Sequence, residues 1–204
     1  MSRTKNRAYK KGEPYRDFRK FIIVAEGGRE DEYFRYFKQL SLRFDIHIVE
    51  REGGKSSAKY FWERLDNYDY QYGIEKEDFV WFVLDVDRWP KKELQQLYDN
   101  CKDKLNYHLA ISNSSFEVWL HFHILKVIPI DLNNAKALKG NLPKIIKGGY
   151  NREKFAELIE TAIENAERAD TDKLHYFPEP RTTKVYALAS KLLFFLGKNW
   201  KKRV

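Results

Sequence analysis

The chain of 204 residues has a single cysteine, Cys101, and that scarcity excludes a good deal. One thiol makes neither an intramolecular disulfide nor a cysteine cage around a metal. No apolar run approaches the roughly 18 residues needed to cross a bilayer, and the basic start Met1 to Lys11 has no apolar segment of the secretory kind. A cytoplasmic protein with no membrane association is the expectation. Internal repeats and low-complexity segments are missing as well. So is a P-loop: Gly53-Gly54-Lys55-Ser56-Ser57 ends like one, but its first glycine would have to be residue 49, which is Val49. What survives is a glycine turn with a lysine and two hydroxyls ahead of a helix. That turn either holds a phosphate or is a plain turn with Ser56 or Ser57 as N-cap.

What the chain does have is aromatic residues, 16% of the total, and positive charge: formal net charge +8 and a pI near 9.3. Much of the excess lies in the first twenty residues and in Lys198-Asn199-Trp200-Lys201-Lys202-Arg203. Charge of this sign and size favours polyanions, nucleic acid ahead of a membrane surface, since no strongly amphipathic basic helix stands out. The plainer alternative is a pair of solubilising tails.

The most informative stretch is Phe79-Val80-Trp81-Phe82-Val83-Leu84-Asp85-Val86-Asp87-Arg88. Six apolar residues rich in β-branched and aromatic types predict a strand buried on both faces, as in a parallel sheet. If the extended conformation persists, Asp85 and Asp87 project to the same side. Two close carboxylates repel unless a cation sits between them, either Mg²⁺ or Mn²⁺ or a nearby Lys or Arg. The alternative is a solvated strand end before a turn at Trp89-Pro90.

Other segments fall into step. Phe21 to Ala25 predicts a short buried strand that ends at Glu26-Gly27-Gly28, and the spacing of Tyr33, Phe34, Phe37 and Leu40 predicts a helix with Glu30, Asp31 and Glu32 at its dipole-favoured start. Asp45 to Glu50 alternates as a half-wet strand. Helices are expected through Tyr60, Phe61 and Leu65 and from Lys91 to Asp103, the latter burying Cys101 as a core thiol. Tyr107 to Ile111 is a further strand, opening through Ser112-Asn113-Ser114-Ser115 into a buried helix over 116–125, whose sole acid, Glu117, needs a partner. His121 and His123 lie about 200° apart on such a helix and cannot share an ion, so ordinary packing is expected of them. Two more apolar stripes, Phe155 to Ala166 and Val185 to Leu193, predict helices, with Thr182 or Thr183 capping the second. Strand and helix alternate, which predicts an α/β fold: a parallel sheet with helices on both faces and a ligand site beyond the carboxyl ends of the strands. Glu26, Asp85, Asp87 and Glu117 all fall at that edge.

These residues resemble a known family. Glu26-Gly27 with Glu30 and Tyr33-Phe34, the strand ending Asp85-Val86-Asp87-Arg88, Ser112-Asn113 with Phe116-Glu117 and Trp119-Leu120, and the late Pro180, Thr182-Thr183 and Val185 together look like the RloB family, whose core is similar to the Toprim fold. Where members often have Thr and Pro, this chain has Arg29 and Ser114. The resemblance spans about residues 19 to 197 and implies a Toprim-like sheet of about four strands. Its expected organisation is a basic tail over 1–18, an α/β core over 19–130 and a helical C-terminal extension over 131–204 packed on that core.

The resemblance further implies a prokaryotic anti-phage defence protein of the abortive-infection kind, with an ATPase partner, and a nuclease site using Mg²⁺ or Mn²⁺. Glu26 would be the general acid/base or bridging carboxylate, Asp85 and Asp87 the metal ligands, and Glu117 support for a second metal position. Position alone nominates Lys55, Arg88, Arg181 and Lys184 to neutralise the phosphates of DNA or RNA. The rival expectation is a catalytically silent subunit that binds nucleic acid or an ATPase; a purely structural adaptor fits the acids least. No tyrosine or lysine stands out as a covalent nucleophile.

Overall fold

A computed structural model of the chain describes residues 19–40, 44–51, 58–198 and 200–203. The β-branched run Arg19–Ala25 forms β1, buried from Lys20 onward. It pairs in parallel with β2 (Phe44–Ile48) on one side and β3 (Phe79–Asp85) on the other. β4 (Tyr107–Asn113) continues the parallel sheet beside β3, as the buried runs predict. A fifth strand was not expected. Thr182–Thr183 forms a two-residue β5, antiparallel to β4, completing the order β2-β1-β3-β4-β5. The two threonines expected as N-caps are drawn to the sheet edge instead. Arg181 and Lys184 donate their N–H groups to the Asn113 and Ile111 carbonyls at 2.8 and 2.7 Å, and the Ser112 and Thr183 hydroxyls meet at 2.8 Å. Lys184 is the N-cap, although the Thr183 hydroxyl still accepts the Val185 N–H at 3.1 Å.

The helices are α1 (Gly28–Lys38), α2 (Ala58–Tyr72), α3 (Lys91–Cys101), α4 (Glu117–Phe122), α5 (Ala135–Ile145), α6 (Arg152–Glu157), α7 (Ile159–Ala169) and α8 (Val185–Leu196). The expected helix over 116–125 is thus confined to six residues, and the stripe from Phe155 to Ala166 is two helices broken at Leu158. Alternation along β1 sorts them into layers. Phe21, Ile23 and Ala25 pack with α1, α4, α7 and α8 on one face, and Ile22 and Val24 pack with α2 and α3 on the other. The helices after residue 131 share the first of these apolar clusters. Cys101 is buried in the second, and burial pushes its thiol up to about 12, as befits a core residue.

This layering positions the site. β1 and β3 are neighbours, yet β1 leads into α1 on one face and β3 leads into α3 on the other. A crevice opens where adjacent strands send their helices opposite ways, outside the carboxyl ends of the strands. Glu26 and Asp85 are the residues at those two ends.

Candidate functional site

Glu26 follows β1 directly, and its N–H extends the ladder to the Val83 carbonyl at 3.0 Å, so its backbone is fixed by the sheet. Its Oε2 accepts the Asp85 N–H at 3.1 Å and the Trp89 indole N–H at 2.6 Å. Its Oε1 is buried with no hydrogen bond; Arg88 Nε stands 3.5 Å away as an ion pair without hydrogen-bond geometry. Burial raises the pKa of Glu26 against the opposing pull of these donors and of Arg88. Trp89, expected only as part of a turn, therefore holds the Glu26 carboxylate in place through its indole N–H.

The strand does not persist through the acid pair. β3 ends at Asp85, and Val86–Arg88 winds into a 3₁₀ turn closed by the Trp89 N–H on the Val86 carbonyl at 3.3 Å. That turn brings the Trp89 indole to Glu26, which the extended continuation would not. Asp85 keeps the sheet face of Trp81 and Val83, whereas Asp87 is exposed on the turn, its N–H donating to the Ser114 carbonyl at 3.2 Å. The pKa of Asp85 is pushed well above the usual carboxylate range by burial, then by the charges of Glu30, Glu26, Asp87 and Glu117. Asp87 is raised too, mainly by burial, with Arg88 and Lys139 opposing.

Glu30 belongs to this group, although the sequence offers a sufficient account of it as a helix-start acid. Its residue is 4% exposed, and burial together with the Glu117 and Glu26 charges pushes it up to about 7. Gly27 makes room for it. The backbone there is ordinary extended (φ −122°), but a Cβ would stand 2.4 Å from Glu30 Oε2. The glycine is needed for space and not for conformation.

Glu117 starts α4 and is buried, as expected, with the partner that its position demands. Arg29 Nη1 lies 2.5 Å from Oε1, the Ser115 hydroxyl donates to Oε2 at 2.8 Å, and Lys139 Nζ is 3.9 Å from Oε1. The Arg29 guanidinium also lies over the Tyr150 ring at 5.4 Å. Lys139 comes from α5, a helix that carries no motif, and nothing in the sequence points to it.

Together these elements enclose a cleft of about 440 Å³ whose acids are Glu26, Glu30, Glu32, Asp85 and Glu117, with Gly27, Arg29, Arg88 and Lys139 beside them; Asp87 is not among its lining residues. Among the described residues, no three or more His, Cys, Asp or Glu side chains stand ready as a metal-binding group. The chemistry of the donors nevertheless fits a hard divalent cation. All are carboxylates, one of their buried oxygens has no hydrogen bond, and burial with mutual repulsion raises Glu26, Glu30 and Asp85 together with Asp87 on the adjoining turn. In their present positions two of these acids, Glu117 and Glu26, are paired with Arg29 and Arg88.

Of the basic residues nominated for phosphates, Arg88 lines the cleft with its side chain 59% exposed. Lys55 and its glycine turn lie outside the described residues. Arg181, at φ 62°, precedes β5 and is not among the cleft-lining residues. Lys184 is buried and is not among the cleft-lining residues, its ammonium 2.5 Å from Asp170 Oδ2 and 2.6 Å from the Asp172 carbonyl. His121 and His123 are packing residues. The former bonds the Glu117 carbonyl at 2.7 Å, and the latter bonds the Trp119 carbonyl and Tyr33 hydroxyl at 3.0 Å each, with burial pushing it down to about 3.

A buried arginine supports the same edge. Arg64 of α2 donates to the Ala25, Val49 and Glu50 carbonyls at 2.9, 2.5 and 3.0 Å, tying together the ends of β1 and β2. Arg51 bridges outward to Asp31 at 3.0 Å. No helix among the described residues is long and apolar enough to cross a membrane. No curated protein and no solved structure matches the chain. The profile of one family, described as RloB-like protein, matches residues 21–192 and covers the sheet and the acids of the cleft, so the chain belongs to the RloB-like protein family.

Proposed function

We propose that this RloB-like protein is a metal-dependent nuclease with a Toprim-like site, cleaving phosphodiesters of DNA or RNA in a prokaryotic anti-phage defence system together with an ATPase. The observation that carries this reading is the convergence of Glu26, Glu30, Glu32, Asp85 and Glu117, from three separate chain segments, at one cleft with three basic partners, while Asp87 stands exposed on the adjoining turn. Asp85 and Asp87 would hold Mg²⁺ or Mn²⁺ with Glu26, and Glu117 would support a second position. The cation supplies a Lewis acid that polarises a phosphoryl oxygen and acidifies a water. Glu26 would accept the proton of the attacking water at Oε1, which takes no hydrogen bond and has only the Arg88 ion pair at 3.5 Å, a task suited to a carboxylate whose pKa burial has raised. Arg88 and Lys139 at the cleft neutralise flanking phosphates.

Glu26→Gln keeps the shape and deletes the charge. It should abolish Mn²⁺-dependent cleavage of labelled nucleic acid while leaving fold and polymer binding largely intact. Undiminished cleavage would place the active site elsewhere.

A second reading, a catalytically silent binding subunit, is favoured by one observation: Glu26 and Glu117 already carry guanidinium partners. Wild-type protein that binds DNA and structured RNA but cuts neither, with its ATPase present, would support that reading.

A further inference from the structure

Arg29 and Arg88, which line the cleft, differ from Arg64 in a way that has a functional consequence. Arg64 is 7% exposed and spends its donors on three strand-end carbonyls, so it cannot leave without orphaning them. Arg29 and Arg88 have side chains 38% and 59% exposed, and each ends on a buried carboxylate of the cleft, Glu117 and Glu26 respectively. A guanidinium on a carboxylate occupies the place of a metal ion electrostatically. That accounts for Glu26, Glu30, Glu32, Asp85 and Glu117 lining one cleft without a ready metal-binding group among the described residues. It also leaves the arginines poorly placed for phosphates, because their charge is already engaged.

We infer that Arg29 and Arg88 are exchangeable counterions: cation entry at the acids releases them from Glu117 and Glu26 to grip the phosphates of a nucleic acid, so metal and polyanion each tighten the other's binding. This rests on the metal-site reading above. Charge balance supports it. The cleft sets Arg29, Arg88 and Lys139 against Glu26, Glu30, Glu32, Asp85 and Glu117, so a divalent cation is accommodated while the arginines stay near, and phosphates then take up the freed guanidiniums. Arg29 has a means of staying at the cleft once released, since its guanidinium already lies over the Tyr150 ring. Linkage makes the effect reciprocal: whatever factor the metal contributes to polymer affinity, the polymer contributes to metal affinity.

The test is binding, read by fluorescence polarisation of a labelled phosphorothioate oligonucleotide with EDTA or with Mn²⁺, and by Mn²⁺ calorimetry without oligonucleotide. A free divalent cation ordinarily weakens protein–nucleic acid association by competing for the phosphates. Tightening is therefore diagnostic, and we expect about tenfold in the wild type. In Arg29→Ala the tightening should shrink to less than about threefold. The Mn²⁺ affinity of that variant without oligonucleotide should rise about tenfold, since Glu117 has lost its competitor. Arg88→Ala carries the same test at Glu26, and Arg29→Lys, which keeps the charge, should stay close to wild type. If the wild type binds Mn²⁺ but the oligonucleotide affinity is unchanged or weaker, or if both alanine variants leave both quantities unchanged, the exchange is wrong while the metal site stands. If the wild type binds no Mn²⁺, the metal-site reading falls and the exchange with it.

Discussion

Two groups of buried acids in this molecule are treated in opposite ways. Asp170, at the end of α7, gives one oxygen to both the Lys184 ammonium at 2.5 Å and the Tyr186 hydroxyl at 2.7 Å, while Asp78 takes the Lys20 and Glu75 N–H groups at 2.8 and 3.0 Å with the Lys20 ammonium 3.5 Å away. Each of these buried charges is met by donors and a cation, and each fastens chain segments distant in sequence. In the cleft, burial raises the carboxyls of Glu30 and Asp85, Glu26 adds to both shifts and Glu30 to that of Asp85, and neither has an ion pair among the described residues. A matched buried charge is scaffold. An unmatched cluster costs stability unless something else neutralises it, which is why the proposal places a ligand in this cleft.

The comparison is broken most forcefully at the scaffold. Lys184→Met would leave the Asp170 carboxylate, with its side chain 3% exposed, without its cation, a loss of about 3–5 kcal/mol. For a chain of this length that is a fall in Tm of roughly 10 °C. A fall under about 2 °C would mean that the pair is not structural.

The cleft should respond with the opposite sign. The folded-state pKa of Glu30 is raised from 4.5 to about 7, so the native state holds its proton more tightly than the unfolded chain does. The cost of ionising Glu30 is fully present above pH 7, declines as pH falls through that value, and is gone below the unfolded pKa near 4.5. Glu30→Gln should therefore stabilise the metal-free protein at pH 8, by up to about 3 kcal/mol, and leave it nearly unchanged at pH 4.5. Thermal melts at the two pH values check this, and destabilisation at pH 8 would contradict it.

Much of this was legible in the sequence because buried parallel strands carry dense apolar runs. Phe21–Ala25, Phe79–Leu84 and Tyr107–Ile111 are found side by side in one sheet. The acids at the strand ends were visible for the same reason, since an abrupt change from apolar to charged marks where a strand leaves the core. What was hidden depended on tertiary contacts. Thr182–Thr183 pairs with β4 only because the chain returns to that edge, Lys139 reaches Glu117 from a helix with no motif, and Glu30 has a complete local explanation that conceals its burial. The burial of Lys184 against Asp170 was hidden for the same reason, since position alone does not show the partner 14 residues earlier.

The central claim, that the crowded acids form a metal site, is tested most directly by calorimetric titration of Mn²⁺ into the metal-free wild type and into the Asp85→Asn, Asp87→Asn double variant at pH 7.5. The account predicts saturable binding by the wild type and none by the double variant, because hard carboxylate oxygens hold the ion and amides replace them poorly. Equal binding by the two proteins, or no binding by the wild type, would contradict it.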